Sequence, residues 1–173
     1  MVLAAGASTR FGSPKQRLLL HEVLGRVRAA RSIDEIVVVL GAHEVETDER
    51  TVRCDEWEQG PGASLRCGLA ALGRDAEAAA VVLADGPDLA PEAIDRVIGA
   101  WREGRGDVLA ASYGGVRGHP VVLGRSAWDR IPREGARALE PVLVACDDLG
   151  SPGDVDFADD LPGRLQPGDG EQK

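Results

Sequence analysis

Short, uninterrupted apolar runs alternate with segments of helical periodicity, and this alternation most constrains what the chain can fold into. Val2–Ala5, Ile36–Leu40 and Ala79–Ala84 are apolar throughout. A strand with one wet face would alternate apolar and polar residues; continuous apolar runs belong to strands covered on both faces. Leu20, Val23, Leu24 and Val27 repeat at helical spacing, as do Leu65, Leu69 and Leu72, and then Ile94, Val97, Ile98 and Trp101. Gly73 and Gly104 close the last two helices, and Pro91 suits the first turn of its own. Thr51–Cys54, Val108–Ala111, Val121–Leu123 and Val142–Ala145 read as further strands. The order predicts an α/β fold, a single three-layer α/β/α domain with a mostly parallel, Rossmann-like sheet. Ligands of such sheets bind beyond the carboxyl ends of the strands, so the loops after Ala5 and Ala84 should share one crevice.

The chain is long enough for one core: 173 residues, 43% hydrophobic. The domain is expected to span 1–162, with the polar stretch 163–173 a disordered tail. No run is long and apolar enough to cross a bilayer and no secretory leader is read, so a cytoplasmic location is expected. Cys54, Cys67 and Cys146 are odd in number, lack metal-ligand spacing and read as buried thiols in a reducing compartment. The net charge of −9 argues against nucleic acid or an anionic membrane as a partner. The charge is unevenly spread. Residues 1–32 carry six basic side chains against Glu22 alone, net +5, and residues 147–173 are net −6. A basic start suits a small polyanion, and an acidic end suits a cation.

The basic start contains the segment Leu3-Ala4-Ala5-Gly6-Ala7-Ser8-Thr9-Arg10-Phe11-Gly12-Ser13-Pro14-Lys15. Small residues let a backbone approach a ligand closely, and successive N–H groups of such a turn can cradle phosphate oxygens. Arg10 and Lys15 add charge-assisted contacts. Pro14 before Lys15 rules out the P-loop pattern, and the six-residue spacing of Gly6 and Gly12 rules out the dinucleotide fingerprint.

These residues resemble the signature of the MobA-like nucleotidyltransferases, and within them are most similar to the molybdenum-cofactor cytidylyltransferases. The resemblance continues in order through Gly60-Pro61-Gly62-Ala63-Ser64-Leu65 with Gly68, Leu83-Ala84-Asp85-Gly86-Pro87, Arg117-Gly118-His119-Pro120 and Asp154-Val155-Asp156 with Asp159-Asp160-Leu161. It implies the fold of the nucleotide-diphospho-sugar transferases and transfer of a nucleotidyl group from a nucleoside triphosphate to a small phosphorylated acceptor, with Mg²⁺ as cofactor. Molybdopterin is the acceptor it favours, with a molybdoenzyme as a further partner. Another small acceptor such as phospholactate, taking a guanylyl group, and a non-catalytic nucleotide-binding partner are the alternatives. Ala5, where GTP-using relatives tend to carry glycine, leans the base towards CTP.

Carried over position by position, Leu3, Ala4, Ala5 and Gly6 would lie against base and ribose, with Gly62, Ser64 and Gly68 completing that pocket. Arg10 and Lys15 would hold the triphosphate. Asp85 would bind the metal, with Asp156 as second ligand and Asp154 as its competitor. Arg10, Lys15 and Asp85 would then carry catalysis, and His119 and Arg137 would face the acceptor. His21 and His43 read as surface residues. Gln16–Val27 passes directly into helix, where relatives have a strand and a glycine turn.

Overall fold

The computed structural model describes residues 1–8 and 15–165. Seven strands form one sheet in the order β3-β2-β1-β4-β6-β5-β7. They are β1 (Val2–Ala4), β2 (Val37–Leu40), β3 (Arg50–Arg53), β4 (Ala78–Leu83), β5 (Val108–Tyr113), β6 (Val116–Gly124) and β7 (Val142–Ala145). β1, β2, β3 and β4 are mutually parallel, as are β5 and β7; β6 alone runs against its neighbours β4 and β5. The helices are α1 (Gln16–Ala29), α2 (Pro61–Ala71) and α3 (Pro91–Arg102).

Alternation within each apolar run divides the core between the two faces. Val38, Val82 and Val122 face α1 and α3, meeting Leu20, Val23, Leu24, Ile94 and Val97. Their chain neighbours Val39, Val81, Val121 and Leu123 face the other way, towards Leu65 and Leu69 of α2. Both faces are therefore dry, as the unbroken apolar runs require. α3 starts with Pro91 and ends at Gly104, whose φ of 75° suits glycine and whose N–H reaches the Trp101 carbonyl at 2.9 Å.

Two expectations are corrected. The strand read at Val121–Leu123 begins earlier, as β6, and takes in Gly118-His119-Pro120. The turn before it is Gly114-Gly115, both at positive φ (61° and 76°), the conformation a two-residue hairpin needs. Such a tight connection forces β6 antiparallel. Cys54 and Cys67, read as separate thiols, are joined in a disulfide with Cα atoms 5.8 Å apart; α2 folds back over the end of β3 and brings them together. Cys146 is the free, buried cysteine. Gly163–Leu165 form a 3₁₀ turn, with Leu165 against a small cluster of Leu19, Val155 and Leu161. Among the described residues, no helix is long and apolar enough to cross a membrane.

Candidate active site

β1 and β4 are adjacent and parallel, so the loops that leave their carboxyl ends open into the same crevice. A cleft of about 430 Å³ lies there. Leu3, Ala4, Ala5, Gly6 and Ser8 form one wall, and Trp57, Gly60, Pro61 and Ser64 the other. Lys15, Asp85 and Asp156 close its end. A second cleft of about 550 Å³ begins on the far side of Asp85, bordered by Tyr113, Arg117, His119 and Asp154. Leu83 and Asp85 line both.

The charged groups meet at this junction. Lys15 Nζ lies 2.9 Å from Asp85 Oδ2, 2.7 Å from the Val155 carbonyl oxygen and 3.6 Å from Asp156 Oδ1. Three chain segments deliver them: the start of α1, the end of β4 and a strap near the C-terminus. The strap is held in place by Val155 N–H donating to the Asp85 carbonyl (3.1 Å) and Asp88 N–H donating to that of Pro152 (3.0 Å). Val155 and Leu161 pack on Leu19, and Arg164 pairs with Asp88 at 2.7 Å. Asp154 faces the second cleft, where burial and then the charges of Asp85 and Asp156 push its carboxyl above the usual carboxylate range, against the pull of Lys15.

His119 borders the second cleft with Nδ1 3.3 Å from the Val81 carbonyl. Burial lowers its pKa below the usual imidazole value, an effect that the Val81 bond and Asp85 oppose and Arg117 reinforces. It is neutral near pH 7 and serves as a hydrogen-bonding group there rather than a cation. Tyr113 donates its hydroxyl to the His119 carbonyl at 2.8 Å, and burial holds that hydroxyl at about 12. Its ring crosses β6 at Gly118, where a Cβ would come within 2.9 Å of it.

Leu3, Ala4, Ala5, Gly6, Lys15, Ser64, Asp85 and Asp156 thus share the first cleft, and His119 and Asp154 meet Asp85 in the second. Arg10 lies outside the described residues. Gly62, Gly68 and Arg137 are placed elsewhere. A Cβ at Gly62 would collide with the Pro132 and Arg133 carbonyl oxygens, and the Gly62 N–H is spent on the latter at 2.9 Å. One at Gly68 would run into Met1 Sδ and lie 2.7 Å from Val39 Cγ2. Both glycines let α2 pack closely, and neither lines the first cleft. Arg137 is exposed on the 3₁₀ turn Gly135–Ala138, because the backbone of that turn faces inward. The Arg117 guanidinium holds it through the carbonyls of Ala136 (2.8 Å), Arg137 (3.3 Å) and Leu139 (2.8 Å). Arg117, not Arg137, borders the second cleft.

Sequence reading missed Ser8, Gln16 and Trp57 as lining residues. The sign available for Gln16 was a polar side chain at the start of a helix whose next positions are apolar. His43, read as a surface residue, is half-buried and donates from Nε2 to the Ala7 carbonyl at 2.9 Å.

A two-cleft α/β domain with a lysine and two carboxylates at the junction has the parts that nucleotidyl transfer needs. The chain belongs to the MobA-like NTP transferase family, whose domain model matches residues 1–148. Its structure is similar to that of Rv0371c from Mycobacterium tuberculosis H37Rv, with a TM-score of 0.76, 27% identity and 96% of both chains covered. A complex of Rv0371c with manganese gives a TM-score of 0.67 at 26% identity, covering 92% of both chains. Among curated proteins the chain is 34% identical over 141 residues to the bifunctional protein GlmU of Cutibacterium acnes. That match takes in 71% of this chain and 34% of GlmU, so the chain spans about a third of that relative's length.

Proposed function

We propose that this nucleotidyltransferase takes a nucleoside monophosphate from a triphosphate, CTP by preference, and joins it to a small phosphorylated acceptor, molybdopterin being favoured, with release of pyrophosphate. The observation that carries this reading is the position of Asp85. It stands between two clefts, each large enough for a small ligand, with Lys15 bonded to it. The triphosphate occupies the first cleft, with its base between β1 and the wall formed by Trp57 and Ser64. The acceptor occupies the second.

The residues fit a divalent cation. The Lys15 ammonium already sits among hard oxygens from Asp85, Val155 and Asp156. Among the described residues no three acidic, His or Cys side chains converge, so a closed protein cage for a metal is absent there. Two carboxylates with phosphate and water oxygens suit Mg²⁺, or the Mn²⁺ seen with Rv0371c. Asp85 and Asp156 would hold the ion, with Asp154 as the alternative second carboxylate. Bound there, a divalent cation neutralises charge that develops on the α-phosphoryl group and on departing pyrophosphate.

The protein's own work is positioning and charge neutralisation. A phosphate-monoester oxygen of the acceptor attacks the α-phosphorus in line, its bond forms as the bond to pyrophosphate breaks, and Lys15 balances the departing charge. The attacking oxygen is already anionic near neutral pH, so no side chain has to remove a proton. His119, neutral at that pH, orients the acceptor by hydrogen bonding.

Pyrophosphate release tests the reading, with CTP, GTP, ATP and UTP offered alongside molybdopterin and Mg²⁺. CTP is expected to be used best, and Asp85→Ala should abolish release while the protein stays folded. Full activity in that variant would remove Asp85 from the site.

A further inference from the structure

Three consecutive carbonyls after β1 are each held by a different donor. Ala5 O accepts from the Ala42 N–H at 3.1 Å, Gly6 O from Gln16 Nε2 at 2.7 Å, and Ala7 O from His43 Nε2 at 2.9 Å. Peptide units are planar and trans, so fixing the carbonyl of one residue fixes the N–H of the next in the opposite direction. The N–H groups of Gly6, Ala7 and Ser8 are therefore set by this frame. Ala42 and His43 follow β2, on the far side of β1 from β4. The N–H group of Gly6 is thereby turned towards the β4 side, where Asp85 stands. Among the described residues, no hydrogen bond takes up any of these three N–H groups.

Gln16 also holds the next turn. Its Oε1 accepts from Ser8 Oγ at 2.7 Å, and Ser8 has a φ of 53°, a left-handed conformation that a non-glycine residue rarely adopts. The Gln16 side chain is 4% exposed, on the same buried side of α1 as Leu19 and Leu20. An apolar residue would fill that space without the desolvation cost of an amide. What the amide adds is a donor to one backbone group of the loop and an acceptor for its neighbour.

We propose that Gln16 and His43 are positioning residues that aim the Gly6–Ser8 amides at the phosphates of the bound nucleotide. The inference rests on the nucleotidyl-transfer reading above, and it is specific to the phosphate end of the ligand. Its effect falls on the triphosphate rather than on the base and ribose, so the frame discriminates CTP from CMP.

The test uses the full chain, with Gln16→Glu and His43→Phe. The carboxylate introduced by Gln16→Glu still accepts from Ser8 but presents an oxygen where the Gly6 carbonyl needs a donor. His43→Phe keeps a ring and loses the bond to Ala7. Titration calorimetry with CTP and CMP, each with Mg²⁺, reads the effect. In each variant CTP should bind about tenfold more weakly, the scale of one lost hydrogen bond to an oriented group, with CMP affinity within about twofold of wild type. Unchanged CTP affinity in either variant, or equal losses for CTP and CMP, would overturn the proposal. If Gln16→Glu does not fold, His43→Phe decides by the same criteria. Wild-type protein that bound neither nucleotide would overturn the transferase reading itself, a result distinct from unaltered variants.

Discussion

Lys15 Nζ donates to Asp85 Oδ2 across 2.9 Å, joining residues 70 positions apart in the sequence. The lysine side chain is 12% exposed and the aspartate 24%, so water screens the pair only partly. Both belong to one charge cluster at the mouth of two clefts. Residues that act as a unit lose function together, and their losses do not add. Lys15→Gln and Asp85→Asn are each expected to lower kcat/KM at least about a hundredfold, as removal of a charge-stabilising group does. The double variant should lose far less than the product of the two. A double-mutant cycle on pyrophosphate release checks this, and full additivity would separate the residues.

The crosslink between Cys54 and Cys67 has a direct consequence for stability. It closes a 13-residue separation, for which chain entropy gives about 3 kcal/mol of stabilisation. Trp57, Gly60, Pro61 and Ser64, one wall of the first cleft, all lie between the two cysteines. Reduction, or Cys54→Ser, should lower the melting temperature by more than about 5 °C, the shift such a loss implies in a chain of this size. It should also weaken CTP binding. Denaturant unfolding with and without a reductant measures the first effect.

Gly62 offers a test of packing against ligand contact. A methyl group there meets two carbonyl oxygens that belong to backbone and cannot move aside cheaply. Gly62→Ala is expected to cost about 1–3 kcal/mol as an overpacking change. Chemical denaturation should show the loss. Nucleotide affinity at temperatures where the variant is folded should change little, because this position does not line the cleft.

His119 sets a pH dependence. Its pKa is lower in the folded protein than the usual imidazole value near 6.5, so the unfolded chain binds the proton more readily. The stability tied to neutral His119 is fully present above about pH 6.5 and is lost as pH falls through the depressed folded value. Wild-type melting temperature should therefore fall more steeply from pH 7 to pH 5 than that of His119→Gln. Parallel slopes in thermal scans would contradict this origin.

Most of the architecture was legible because periodicity reports burial directly. The unbroken runs at Ile36–Leu40 and Ala79–Ala84 announced β2 and β4, strands covered on both faces, and the spacing in α3 matched its buried stripe. β6 was read too short because Arg117, Gly118 and His119 look like loop residues, while the Gly114-Gly115 turn that begins the strand went unread. The site was legible where its chemistry is carried by side-chain type: Lys15, Asp85 and Asp156 meet in space. It was illegible where glycines do packing work, as at Gly62 and Gly68, since a motif does not tell a close helix contact from a close ligand contact. It was also illegible for Gln16 and His43, whose partners are backbone carbonyls that leave no mark on sequence.

The first cleft, closed by Lys15, Asp85 and Asp156, is expected to hold a nucleoside triphosphate together with a divalent cation. Thermal-shift titration with CTP, GTP, ATP and UTP, with and without Mg²⁺, tests it most directly, because a ligand that binds only the folded state raises the melting temperature. At a hundred times its Kd, CTP with Mg²⁺ should add about 2.7 kcal/mol, a rise of several degrees. The rise should be smaller with the other three triphosphates and largely lost without the metal or in Asp85→Ala. A melting temperature unmoved by all four triphosphates in the presence of Mg²⁺ would contradict the account.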